Sequence, residues 1–245
     1  MKRDNKKQEL VLVHGWDPKI YTHLLEKTSE SVAWNRRKDL IAHLNKRFKL
    51  SYFNLPGFAG KGAPSKDKFD LDDYADNFYD YIKTNKKEEA LFLGYSFGGA
   101  VVLHAKSKFD LSNKIILISP AIKRWESKKS SLGRIGRQWV PAFLHQSVKH
   151  WYQFIFSKYY RLGTAFLRRS YDLIVRVDLR LELTKMKASE VLLIYGDHDS
   201  STPYGLVKKV VLRTKMKYGL IKGGHNIGET APEEIIKVID NWINK

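Results

Sequence analysis

The chain has 245 residues, a length that one large α/β domain fills without splitting. Apolar residues make up 43%, too many for a disordered chain, and the absence of cysteine excludes disulfides, thiolate metal sites and a cysteine nucleophile. With 44 basic against 26 acidic residues the formal net charge is +18, which favours anionic partners such as phospholipid or nucleic acid but says little about fold.

From the N-terminus, Met1 to Lys7 is charged, and the apolar run at 10–13 is too short for a signal peptide's core. No window approaches the roughly 18 apolar residues of a membrane span, so the expected compartment is the cytoplasm. Short runs rich in Val, Ile, Leu, Phe and Tyr predict strands at 10–13, 50–53, 90–93, 114–118, 191–195 and 217–221. Helical segments are expected between them at 33–47, 71–84, 97–106, 204–213 and 232–241. The last opens with Pro232, Glu233 and Glu234, which suit a positive helix N-terminus. This alternation predicts an α/β fold, a mostly parallel central sheet with helices on both faces.

The alternation lapses between 121 and 188. That stretch carries Trp125, Trp139, Trp151, Tyr152, Phe154, Phe156, Tyr159 and Tyr160, with 15 Lys and Arg against 4 Asp and Glu. It reads as a helical, basic, aromatic-rich lid, with 1–120 and 189–245 forming the core. Its aromatics lie among aliphatics, as in a packed layer, and no nucleic-acid motif appears, so nucleic acid is not an expected partner. Its charge suits an anionic substrate, peripheral contact with an anionic membrane, or simply a solvated face.

Gly94-Tyr95-Ser96-Phe97-Gly98 fits G-x-S-x-G between a buried-strand run (Ala90 to Leu93) and a buried-helix run (Ala100 to Leu103). Small residues around the serine permit the sharp strand-to-helix turn that exposes a nucleophilic hydroxyl. Acyl transfer also needs backbone N–H donors for the developing oxyanion. Phe97 N–H, next after the serine, is one candidate. Trp16 N–H, in the loop His14-Gly15-Trp16 after the first strand, is the other, with His14 as a brace of that loop. A serine needs a base, and His225 alone among the 8 histidines lies late, in a Gly-Gly-His loop after a strand. His23, His43, His104, His145 and His150 read as packing or surface residues. Two carboxylates, Asp197 and Asp199, follow the strand at 191–195, and either could orient the base. Asp197, His198, Asp199 and His225 have no metal-motif spacing, so neither a metal site nor a cofactor is expected.

These motifs, with Leu55-Pro56-Gly57-Phe58 and Gly196-Asp197-His198-Asp199, resemble the α/β-hydrolase superfamily, in particular small carboxylesterases and meta-cleavage-product hydrolases. The resemblance implies a triad of Ser96, Asp199 and His225, the acid lying three residues after the glycine, and an oxyanion hole of Trp16 and Phe97. Two departures stand out. Asn54 replaces the family's usual Asp before Leu-Pro-Gly, and Ala59-Gly60-Lys61-Gly62 replaces its glycine-serine continuation. The implied activity is hydrolysis of a carboxylic ester with an apolar acyl or aromatic part. The alternatives are C–C bond or thioester hydrolysis with the same triad, or a non-catalytic membrane-surface protein on this scaffold.

Overall fold

The computed structural model describes residues 7–17, 30–58, 61, 64–124 and 162–244. Six strands form one sheet: β1 (Glu9–Val13), β2 (Lys49–Phe53), β3 (Leu91–Tyr95), β4 (Ile115–Ile118), β5 (Val191–Gly196) and β6 (Lys217–Ile221). Their order is β2-β1-β3-β4-β5-β6, and every pairing is parallel. The central strands β3, β4 and β5 are buried at every residue, whereas β2 and β6 at the edges are partly exposed. Continuous apolar runs therefore belong to the middle of the sheet, where helices cover both faces.

The helices are α1 (Lys38–Arg47), α2 (Leu71–Thr84), α3 (Phe97–Lys108), α4 (Ala165–Ile174), α5 (Arg180–Lys185), α6 (Lys208–Thr214), α7 (Ile227–Thr230) and α8 (Pro232–Ile243). Right-handed crossovers fix their sides. The step from β1 to β2 runs one way along the sheet and all later steps run the other way. Hence α1 covers one face, where α8 packs against it, while α2 and α3 pack together on the opposite face. The reversal lies between β1 and β3, where the loops leaving two adjacent strands diverge and open a crevice. The predicted nucleophile follows β3 and the predicted oxyanion loop follows β1, so topology brings both to that crevice.

Local chemistry explains several elements. Asp70 caps α2 by accepting from Asp73 N–H while the Asp73 side chain accepts from Asp70 N–H, a reciprocal cap typically worth about 1 kcal/mol. The turn Leu55-Pro56-Gly57-Phe58 closes through Phe58 N–H to Leu55 C=O at 3.0 Å, with Gly57 at φ +84°. Proline then glycine is what a type II turn demands.

Two predicted helices begin differently. The segment expected from 33 opens as a 3-10 stretch, Glu30–Arg37, before α1. The segment expected from 204 opens as a 3-10 turn, Tyr204–Leu206, with i→i+3 bonds from Leu206 and Val207. Neither α1 nor α6 has a side-chain cap, and 3-10 turns are frequent at helix N-termini. The short α7 between His225 and Pro232 was not expected. Of the predicted lid at 121–188, residues 125–161 lie outside the described residues, as do its aromatics named above, together with His23, His145 and His150. The described remainder holds α4 and α5. Phe166, Leu167, Ile174, Leu179 and Leu183 from this stretch are buried in the same core as the sheet. Among the described residues, no helix is long and apolar enough to cross a membrane.

Candidate active site

Ser96 sits between β3 and α3 at φ 51° and ψ −114°. That backbone strain, of roughly 1–3 kcal/mol, is held in place by neighbours on both sides. Ser96 N–H donates to Ile118 C=O at 2.9 Å, and Ala121 N–H donates to Ser96 C=O at 2.9 Å. Close packing does the rest. A Cβ on Gly98 would lie 2.2 Å from Val13 O and 2.4 Å from His14 O, so α3 approaches the end of β1 only because position 98 has no side chain.

The three predicted triad residues meet. Asp199 Oδ2 and His225 Nδ1 are 2.8 Å apart, and His225 Nε2 and Ser96 Oγ are 2.9 Å apart. A carboxylate only accepts, so Nδ1 carries the imidazole proton and Nε2 accepts from the serine hydroxyl. The Asp199 side chain is fully buried, whereas His225 is 18% exposed. Burial pushes the Asp199 carboxyl up, but hydrogen bonds from His225 and from the Thr202 N–H and hydroxyl overcome it and hold the group at about 2. Its Oδ1 accepts Ser201 N–H at 2.8 Å and Thr202 N–H at 2.9 Å, and its Oδ2 also accepts the Thr202 hydroxyl at 2.9 Å.

The competing carboxylate, Asp197, accepts Gly223 N–H at 2.8 Å and lies 2.7 Å from His198 Nδ1. It braces the turn that leads to His225. The structure thus separates two acids that the residues alone left open. Among the described residues, no group of His, Asp or Glu is arranged to hold a metal ion.

The loop after β1 passes directly over the serine, since a Cβ on Gly15 would be 3.0 Å from Ser96 Cβ. His14 holds that loop from inside. Its Nδ1–H donates to Gly15 C=O at 2.8 Å, and its Nε2 accepts Leu55 N–H at 3.1 Å. Burial lowers the imidazole to about 4, so it stays neutral and able to do both. The Trp16 ring is clamped edge-on between Phe58 (4.8 Å between centroids) and Phe97 (5.4 Å). Neither Trp16 N–H nor Phe97 N–H has an acceptor among the described residues. At the departure from the family pattern, Asn54 is buried and its Oδ1 has no partner among the described residues. The neighbouring bond from Leu55 to His14 is nonetheless in place.

Sequence reasoning missed several contributors. The Thr202 hydroxyl lies 3.3 Å from His225 Nδ1 as well as against Asp199. The available signal was its spacing, because an Asp accepting N–H groups two and three residues later is a common local turn. Tyr95, the variable residue of G-x-S-x-G, donates its hydroxyl to His225 C=O at 2.7 Å and accepts Gly228 N–H at 3.3 Å. Arg37 stacks 4.1 Å from the Tyr95 ring centroid and pairs with Glu229 at 3.3 Å. Nothing local in the sequence points to those contacts. Trp16, Ser96, Arg124, Tyr171, Thr202 and His225 line a cavity of about 170 Å³.

Comparison with known proteins bears on family and fold. A family model described as the alpha/beta hydrolase family matches residues 10–238. No curated protein matches the chain. Among solved structures, an esterase from Exiguobacterium antarcticum is 17% identical with a TM-score of 0.68, over 98% of this chain and 93% of that one. A meta-cleavage product hydrolase from Pseudomonas fluorescens is 15% identical with a TM-score of 0.68, over 98% and 91%. A bromoperoxidase from Bacillus anthracis is 17% identical with a TM-score of 0.68, over 98% and 93%. At such identities these likenesses speak for the fold alone. Because the family model spans nearly the whole chain and the all-parallel sheet agrees with it, the chain belongs to the alpha/beta hydrolase family and is a hydrolase.

Proposed function

We propose that the protein hydrolyses a carboxylic ester through an acyl-enzyme on Ser96. The observation that carries this reading is the unbroken relay from Ser96 Oγ through His225 to Asp199, at 2.9 and 2.8 Å. Ser96 Oγ attacks the ester carbonyl carbon while its proton passes to His225 Nε2. Asp199, ionised at about 2, stabilises the resulting imidazolium. The carbonyl oxygen becomes an oxyanion, which Trp16 N–H and Phe97 N–H receive; that neither has an acceptor among the described residues supports that role. The tetrahedral intermediate collapses, the C–O bond breaks, and the leaving alcohol takes the proton from Nε2. Water then attacks the acyl-enzyme, again losing its proton to Nε2, and the acid leaves as the serine regains its proton.

The substrate's reacting end is compact. An apolar cavity of about 150 Å³ accepts a molecule the size of benzene, and the volume here is about 170 Å³. With Trp16 and Tyr171 in its walls, it suits a short apolar acyl or aromatic group.

A fluorophosphonate probe tests the reading. The wild type labels at Ser96 and cleaves short-chain aryl esters, and Ser96→Ala does neither. A wild-type protein that stays unlabelled refutes it.

A further inference from the structure

The cavity that contains Ser96 and His225 also contains a cation that the hydrolytic relay does not use. Arg124, half-buried, lines it together with Trp16 and Tyr171. Among the described residues, its one hydrogen bond is a long one, from Nη1 to the Tyr171 hydroxyl at 3.4 Å, and its guanidinium carbon lies 5.8 Å from the Tyr171 ring centroid. No carboxylate pairs with it among the described residues. Its sequence neighbour behaves differently. Lys123 pairs with Asp178 at 3.3 Å, and Asp178 also holds Arg180 at 2.7 Å. Asp199, behind the lining residue His225, already accepts from His225, the Thr202 hydroxyl and two backbone N–H groups.

A guanidinium carries five N–H donors in a planar fork that matches a carboxylate two-to-two. Removing such a charge partly from water without a counter-ion is unfavourable, and a ligand that supplies the anion recovers that loss. An imidazole that must accept a proton, a carboxylate committed behind it and a guanidinium with no carboxylate partner among the described residues suit the cavity to a negative group.

We infer that Arg124 is a specificity-determining residue that binds a carboxylate carried by the ester substrate, within the same small cavity as the scissile bond. The inference rests on the ester-hydrolase reading and narrows it, from esters in general to half-esters and other esters bearing an acid group.

Two matched pairs of substrates test it. Monoethyl succinate against ethyl butyrate puts the charge on the acyl side, and 4-acetoxybenzoate against phenyl acetate puts it on the leaving side. For each pair the readout is the ratio of kcat/KM, charged over neutral, in wild type, Arg124→Gln and Arg124→Lys. The wild type is expected to favour the charged ester in one pair. Arg124→Gln lowers that ratio about 10- to 100-fold, the range of a charge-assisted hydrogen bond, and Arg124→Lys falls between the two. The ratio is internal to each protein, so a fold defect that slows both esters equally does not mimic the effect. A wild type with no preference for the charged ester in either pair overturns the inference alone, as does an Arg124→Gln variant that slows both members of a pair by the same factor. Absence of Ser96-dependent hydrolysis of all four esters overturns the ester reading and this inference with it.

Discussion

Replacing Asp199 by asparagine probes the relay at the point where its logic is most constrained. Four donors converge on the carboxylate: Ser201 N–H and Thr202 N–H on Oδ1, and the Thr202 hydroxyl and His225 Nδ1–H on Oδ2. An asparagine has one accepting oxygen and one NH2. The two backbone donors cannot reverse their polarity, so the amide oxygen stays with them and the NH2 faces the imidazole. The imidazole can adapt by moving its proton to Nε2, leaving Nδ1 to accept. A protonated Nε2 cannot take the proton of Ser96 Oγ, which lies 2.9 Å away. The expected loss in kcat is therefore that of a wrong tautomer, about 10,000-fold, or roughly 5.5 kcal/mol of transition-state stabilisation. Stability falls much less, by roughly 1–3 kcal/mol, because the shape is kept and only charge-assisted hydrogen bonds weaken. The assay is steady-state turnover of a short aryl ester beside urea denaturation, with Asp197→Asn as the comparison. Among the described residues the Asp197 side chain bonds Gly223 N–H and His198 and not His225, so that variant is expected to lose far less turnover. An Asp199→Asn enzyme within about tenfold of wild type, less than about 1.4 kcal/mol, refutes the assignment of Asp199 as the orienting acid.

Other consequences are equally direct. Because burial holds His14 at about 4, below its unfolded value of about 6.5, its contribution to stability is complete above about pH 6.5 and is lost as pH falls through about 4. Denaturant unfolding is expected to show about 3 kcal/mol of this loss across that window, and an NMR titration in which folded His14 protonates near pH 6.5 refutes it. Gly98→Ala drives a methyl into the Val13 and His14 carbonyls. It is expected to cost more than about 3 kcal/mol, a fall in Tm of at least about 6 °C for a chain of this size, with loss of fluorophosphonate labelling. A variant that melts with the wild type refutes that packing argument.

The central strands were legible because each is a run of apolar residues, and β3, β4 and β5 are buried on both faces as such runs require, whereas the edge strands β2 and β6 are shorter on apolar residues and partly exposed. The position of Ser96 was legible because its turn needs glycines at fixed offsets, and His225 because it follows a late strand. Asp199 was less so, since Asp197 offers the same chemistry two residues away and only the folded chain shows which oxygen faces the imidazole. Tyr95 meets His225 and Arg124 meets Tyr171, both remote in the chain, and neither contact leaves a periodic trace, whereas Thr202 left only its three-residue spacing from Asp199. The 3-10 openings before α1 and α6 escaped because apolar spacing marks where a helix runs and does not separate a 3-10 first turn from an α one. Sheet order likewise depends on crossovers between distant strands, which no local window contains.

The bond from Tyr95 to the carbonyl of His225 has a bearing on how this scaffold tolerates change. The side chain arises from the residue immediately before the serine, so the loop that carries the imidazole is tethered to the same strand end as the hydroxyl it must meet. A displacement of that strand end carries both partners with it and leaves their spacing nearly constant. Substitutions at Tyr171 in the cavity wall can therefore reshape what the cavity accepts while the proton-transfer distance is insulated from them.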